Sequence, residues 1–189
     1  MKTIAVENPT YSKLSKLKFT VNRMRSTSFT FSELLEEIMR NPLGILLIDS
    51  ALREALKSLV KYLSQDESIL GVILFGSVVK GTFRANSDVD LFILTGDTDS
   101  RTFDYVERSI RKTEIEFFDR LVGNKLPVHI APFICSVGEL DFVRPIFFDI
   151  ADGGMIIFDR YSAASEFIDK YLLLPHKRKY TENGEVLTW

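Results

Sequence analysis

The chain has 189 residues, 46% of them hydrophobic and 26% charged, enough for one domain that buries about 70% of the surface its unfolded form exposes. Its one cysteine, Cys135, excludes an intramolecular disulfide and, with only His129 and His176 for company, a conventional zinc site; a cytoplasmic protein is the simplest expectation. The net charge of -2 excludes a protein wholly devoted to coating nucleic acid, yet residues 1–30 carry six basic side chains against the single acid Glu7, while residues 31–174 stand at -8.

No apolar run approaches the ~20 residues of a membrane span, and the N-terminus lacks the apolar core of a signal peptide. No membrane partner is expected. Within the basic arm, Leu17, Phe19 and Val21 alternate with Lys16, Lys18, Thr20 and Asn22, which predicts a strand with one basic face. Such lysines discourage edge pairing. Thr30 and Glu33 form a capping box, with Phe29 and Leu34 as its staple, for a short helix reaching about Arg40. Asn41-Pro42 restarts the chain. From Ile48 through Leu52, Ala55, Leu56, Leu59, Val60 and Leu63 the apolar residues recur at three- and four-residue steps, the stripe of a helix that lies on a sheet.

The continuous apolar run Ile69 to Phe75 predicts a central strand covered on both faces. A second strand runs from Leu91 to Leu94, and a helix follows over 101–122, closed by Gly123-Asn124. Val128 to Ala131 reads as a third strand. Ser136 and Glu139 make another capping box, Arg144-Pro145 interrupts the helix after it, and Met155 to Phe158 is a fourth strand. A last helix spans about Ser162 to Leu173. The expected fold class is α/β of the α+β type, a small mixed sheet of about four to five strands flanked by helices. Three regions are expected: a basic arm with a short helix over 1–45, the main domain over 46–160, and a helix with a tail over 161–189.

Chemistry concentrates in Gly76-Ser77, ten further residues, and Asp88-Val89-Asp90, with Gly81 and Ser87 between them. Gly76 ends a buried strand and lets backbone approach a ligand, while Ser77 offers a hydroxyl and an N–H at a helix start, where phosphate oxygens are stabilised. Asp88 and Asp90 lie two apart on extended chain. Both carboxylates therefore leave the same face, within reach of one hard cation or of two about 3.5–4 Å apart. Carboxylates beside a core are costly without a compensating cation, so the aspartates are expected to hold the magnesium that bridges a triphosphate seated on Gly76 and Ser77. Lys80 and Arg84, inside the loop, are candidates to neutralise phosphate charge.

At these residues the sequence resembles the DNA-polymerase-beta-type nucleotidyltransferase superfamily, in particular its minimal members. Their signature of Gly-Ser, ten residues and Asp-x-Asp is met by Gly76, Ser77, Gly81, Ser87, Asp88 and Asp90. The resemblance covers roughly Ile48 to Asp159 and implies a nucleotidyltransferase fold. It also implies transfer of a nucleoside monophosphate, AMP from ATP as a rule, to a hydroxyl of a protein or small molecule, with Mg²⁺ or Mn²⁺ and release of pyrophosphate. Asp88 and Asp90 carry over as metal ligands, and Gly76, Ser77, Lys80, Gly81, Arg84 and Ser87 as nucleotide-binding residues. The family's third carboxylate, on the next strand, is replaced by His129, an imidazole that accepts a proton or binds a metal but brings no negative charge; alternatively His129 is a buried structural residue. Glu116, Asp119 and Asp149 sit on helix-like segments and do not match the position. The resemblance therefore also admits a catalytically impaired nucleotide-binding module, or an antitoxin-like partner of a separate helical HEPN protein. RNA ranks last among partners because the body is net acidic.

Overall fold

The computed structural model describes residues 49–97 and 99–174 in full and the backbone of 177–181 and 184–188. The expected strand in the basic arm and the helix near 30–40 lie outside the described residues. Helix α1 (Ser50–Leu63) is capped by Asp49, whose carboxylate accepts from the Ala51 N–H at 2.8 Å. Its buried stripe is Leu52, Ala55, Leu56, Leu59 and Leu63, each large member contributing about 1.5–3 kcal/mol when fully removed from water.

Strand β1 (Ile69–Phe75) leads directly into the five-residue helix α2 (Gly76–Lys80), and β2 (Val89–Thr95) returns antiparallel to β1. The long helix α3 (Ser100–Gly123) then carries the chain to β3 (Ile130–Ser136), which pairs parallel with β2. A 3-10 turn (Val137–Asp141) opens on the expected Ser136–Glu139 capping box. Helix α4 (Pro145–Gly153) starts with proline at its first turn rather than being broken by it. Strand β4 (Met155–Asp159), antiparallel to β1, precedes helix α5 (Ala163–Leu173). The sheet order is β3-β2-β1-β4, so β1 and β2 are central and β3 is an edge.

Side-chain alternation divides the core into two layers. Val72, Leu74, Leu91 and Ile93 face α1 and α3, whereas Ile73, Phe92, Leu94 and Cys135 face α4 and α5. Helices α1 and α3 run antiparallel: Arg120 pairs with Glu54, and the Tyr62 hydroxyl donates to Glu116 at 3.0 Å. On the opposite face α5 sits so close to β1 that a Cβ on Gly71 would lie 2.8 Å from the Ala164 Cβ. Burial first and the Glu139 charge second push the Cys135 thiol up to about 11, against the opposing Arg144 charge, so it is an inert core residue.

The four-stranded mixed sheet flanked by helices is the expected fold. Two expectations are corrected. The third strand begins at Ile130 and runs to Ser136, not from Val128 to Ala131, because Pro132, disfavoured in a central strand, is tolerated on this open edge. The tail, to which no element was assigned, forms a separate antiparallel hairpin of β5 (Lys177–Thr181) and β6 (Gly184–Thr188). No described helix is long and apolar enough to cross a membrane.

Candidate active site

The end of β1 and the start of β2 are paired, Phe75 opposite Asp90. That register places the carboxylate of Asp90 directly beside the turn at Gly76. Gly76 has φ of +75°, and a Cβ there would fall on the Asp90 carboxyl group. Only glycine meets both conditions, the left-handed backbone and the absent side chain. The short helix that follows closes at Gly81, whose φ of +66° is again left-handed.

Asp90 is half-buried and Asp88, one residue ahead of the strand, is exposed. Burial first and the neighbouring Asp88 charge second raise the Asp90 carboxyl above its ordinary range, while the Ser77 backbone N–H that it accepts and the nearby Lys80 pull the other way. Ser87 closes the intervening loop: its Oγ accepts the Arg84 N–H at 2.9 Å and its own N–H donates to the Arg84 carbonyl at 2.9 Å. The Arg84 and Lys80 side chains are exposed.

Two mutually repelling carboxylates, one partly desolvated, are donors of the kind that suits a hard divalent ion. No group of three or more His, Cys, Asp and Glu side chains among the described residues is placed to hold a metal by itself. The residues fit a cation shared with a phosphate-bearing ligand.

His129 lies one residue ahead of β3. Asp90 faces Ala131 across the β2–β3 ladder. The His129 carbonyl accepts the Val89 N–H at 2.8 Å, which puts its backbone beside the aspartate pair, but the ring turns to Glu114 of α3, Nδ1 to Oε1 at 3.2 Å. It is not buried; its side chain is 71% exposed. Among the other acids, Glu116 accepts from Ser58 and Tyr62 on α1, Asp119 lies on α3 and Asp149 on α4. Glu114 escaped the sequence reading because nothing local marks one acid in a helix rich in them; its partners, 15 and 16 residues on, meet it only through the fold.

The nucleotidyltransferase domain family matches residues 56–148. A provisionally named protein adenylyltransferase of Methanocaldococcus jannaschii is 29% identical over 104 residues, covering 55% of this chain and 68% of that protein. The spectinomycin 9-adenylyltransferase of Staphylococcus aureus is 28% identical over 119 residues, covering 63% of this chain but only 37% of that enzyme. Among solved structures, a toxin-antitoxin crystal structure with AMP-PNP aligns with 63% of this chain and 82% of its own at 16% identity and a TM-score of 0.39.

Proposed function

We propose that the chain is a minimal nucleotidyltransferase of the DNA-polymerase-beta type, a reading supported by the match of the nucleotidyltransferase domain family to residues 56–148, and that it moves AMP from ATP to a hydroxyl group on a protein. The observation that carries the reading is the fit of Gly76 against Asp90, which aligns the turn and the carboxylate pair in one rigid unit. A protein acceptor is favoured because the relative bearing a protein adenylyltransferase name is spanned over 68% of its length, and the antibiotic-modifying one over only 37%.

In this mechanism Asp88 and Asp90 hold a divalent metal, Mg²⁺ or Mn²⁺, which when bound supplies charge neutralisation for the attacking and leaving oxygens. Ser77 presents its hydroxyl at the strand end, and Lys80 and Arg84 lie in the loop where they meet phosphate charge. The acceptor oxygen attacks the α-phosphorus, the bond to the bridging oxygen breaks, and pyrophosphate departs with that electron pair. Positioning and electrostatics do most of the work, which is why the rigid turn matters.

The test is transfer of label from α-labelled ATP in a lysate of the source cell with Mg²⁺ or Mn²⁺. Wild type is expected to label a protein band at least 1,000-fold faster than Asp88→Ala/Asp90→Ala, the order of loss when transition-state electrostatics are removed. Equal labelling by the two would refute the reading. Metal-dependent ATP binding without transfer would instead identify a nucleotide-binding module, the reading admitted by His129 in place of the family's third carboxylate.

A further inference from the structure

We propose that Glu114 and His129 act as a pair in which Glu114 holds the imidazole that takes the proton from the acceptor hydroxyl. The proposal rests on the adenylyl-transfer reading and adds the residues that activate the acceptor.

Position supports it first. The Val89 N–H, lying between the two aspartates in sequence, donates to the His129 carbonyl at 2.8 Å, and in the parallel register His129 precedes Ala131, the partner of Asp90, by two residues. The imidazole therefore starts from the strand end adjoining the aspartates. Glu114 is itself fixed: its Oε1 accepts the outward Ile130 N–H at 2.8 Å while meeting His129 Nδ1 at 3.2 Å. An Nδ1–H donated to a carboxylate leaves Nε2 as the free acceptor, the tautomer a proton acceptor needs.

Space supports it second. Two adjoining cavities of about 330 Å³ and 650 Å³ both include Glu114 and His129 in their walls, room for an acceptor side chain beside the ring. The charged groups facing the imidazole there are Glu114, Arg111, Arg108, Glu107 and Asp119, all from α3. Ala131 offers no proton acceptor.

The step balances. The hydroxyl proton passes to Nε2 as the acceptor oxygen bonds to the α-phosphorus; pyrophosphate leaves with the electrons of the broken bond. The imidazolium, facing the Glu114 carboxylate, returns its proton to water. His129 is the proton acceptor and Glu114 a positioning residue.

The experiment measures kcat, KM for ATP, melting temperature and the pH dependence of kcat for the full chain with His129→Ala, Glu114→Gln and Glu114→Asp, alongside Asp88→Ala/Asp90→Ala. His129→Ala is expected to lower kcat about 100-fold, the ordinary worth of a general base. Glu114→Gln is expected to lower kcat about tenfold, Glu114→Asp to recover part of it, and none of the three to change KM for ATP or the melting temperature. Wild-type kcat in His129→Ala or Glu114→Gln overturns the proposal. So does a fall in kcat that merely tracks the melting temperature, which would make Glu114 an edge cap for β3. If transfer depends on the aspartates but not on His129, this proposal alone fails; if wild type and the aspartate variant transfer equally, the adenylyl-transfer reading fails and takes this proposal with it.

Discussion

The two halves of the candidate site are built in opposite ways. On one side, Gly76, Ser77 and Asp90 sit at the ends of the two central strands, locked by the ladder and backed by buried Phe92, whose ring lies 4.7 Å from Phe167 and 5.7 Å from Phe133. On the other, His129 stands just ahead of an edge strand, with its side chain largely in solvent and a single carboxylate from a helix to direct it. The central half gains its precision from packing, which leaves little freedom for a side chain to move. The edge half depends on one exposed contact and is open to whatever enters the adjoining cavities.

That contrast is strongest where the core is attacked. Phe92→Ala, two residues beyond Asp90, should lower stability by about 3–5 kcal/mol through the cavity it leaves, measured by urea unfolding; a loss under 1 kcal/mol would show that the central half is not anchored by this layer. Gly76→Ala is next. The new methyl group meets the Asp90 carboxyl, and the displaced ligand should cost roughly 100-fold in transfer rate with far-ultraviolet circular dichroism unchanged; near-wild-type transfer would mean that the turn and the carboxylate are not one unit.

A smaller effect concerns proton linkage. Because burial and Asp88 raise the Asp90 carboxyl, the native state holds more protons than the unfolded state between the ordinary carboxylate range and the raised value. Stability contributed by this group therefore falls as pH rises through that window and stays lower above it. Asp90→Asn should raise the metal-free melting temperature at neutral pH slightly, since solvent screening reduces the effect. The gain should vanish below the ordinary carboxylate range, and added Mg²⁺ should stabilise wild type but not the variant. A thermal-shift titration over pH checks all three. Least of all should be felt at the exposed Glu54–Arg120 pair between α1 and α3: Glu54→Ala should leave the melting temperature unchanged within error, since exposed ion pairs contribute little.

The central half was legible in the primary structure because its logic is local. A strand-length apolar run ending in Gly-Ser gave β1 as Ile69–Phe75 residue for residue, and a second run preceded by Asp-x-Asp located β2, which begins at Val89 rather than Leu91. Binary patterning also found α1, α3, β4 and α5 to within a residue or two. The β3 start was misplaced by two residues, since an edge strand containing Pro132 breaks the apolar alternation that marks a strand, and the tail hairpin was missed because its short strands carry mostly polar residues.

The amino-acid sequence by itself determined which glycine, which serine and which two carboxylates lie at one strand end, and that the body holding them is acidic. Tertiary structure alone decided how tightly they fit and what faces them. That Asp90 occupies the space where Gly76 lacks a side chain follows from the β1–β2 register. That Ala131 rather than His129 stands across from it follows from the parallel β2–β3 ladder. The pairing of His129 with Glu114 arises because α3 packs back along the sheet to meet an edge backbone N–H that has no strand beside it; an unpaired donor of that kind draws in an acceptor from wherever the fold supplies one, and no spacing along the chain records which acid that is.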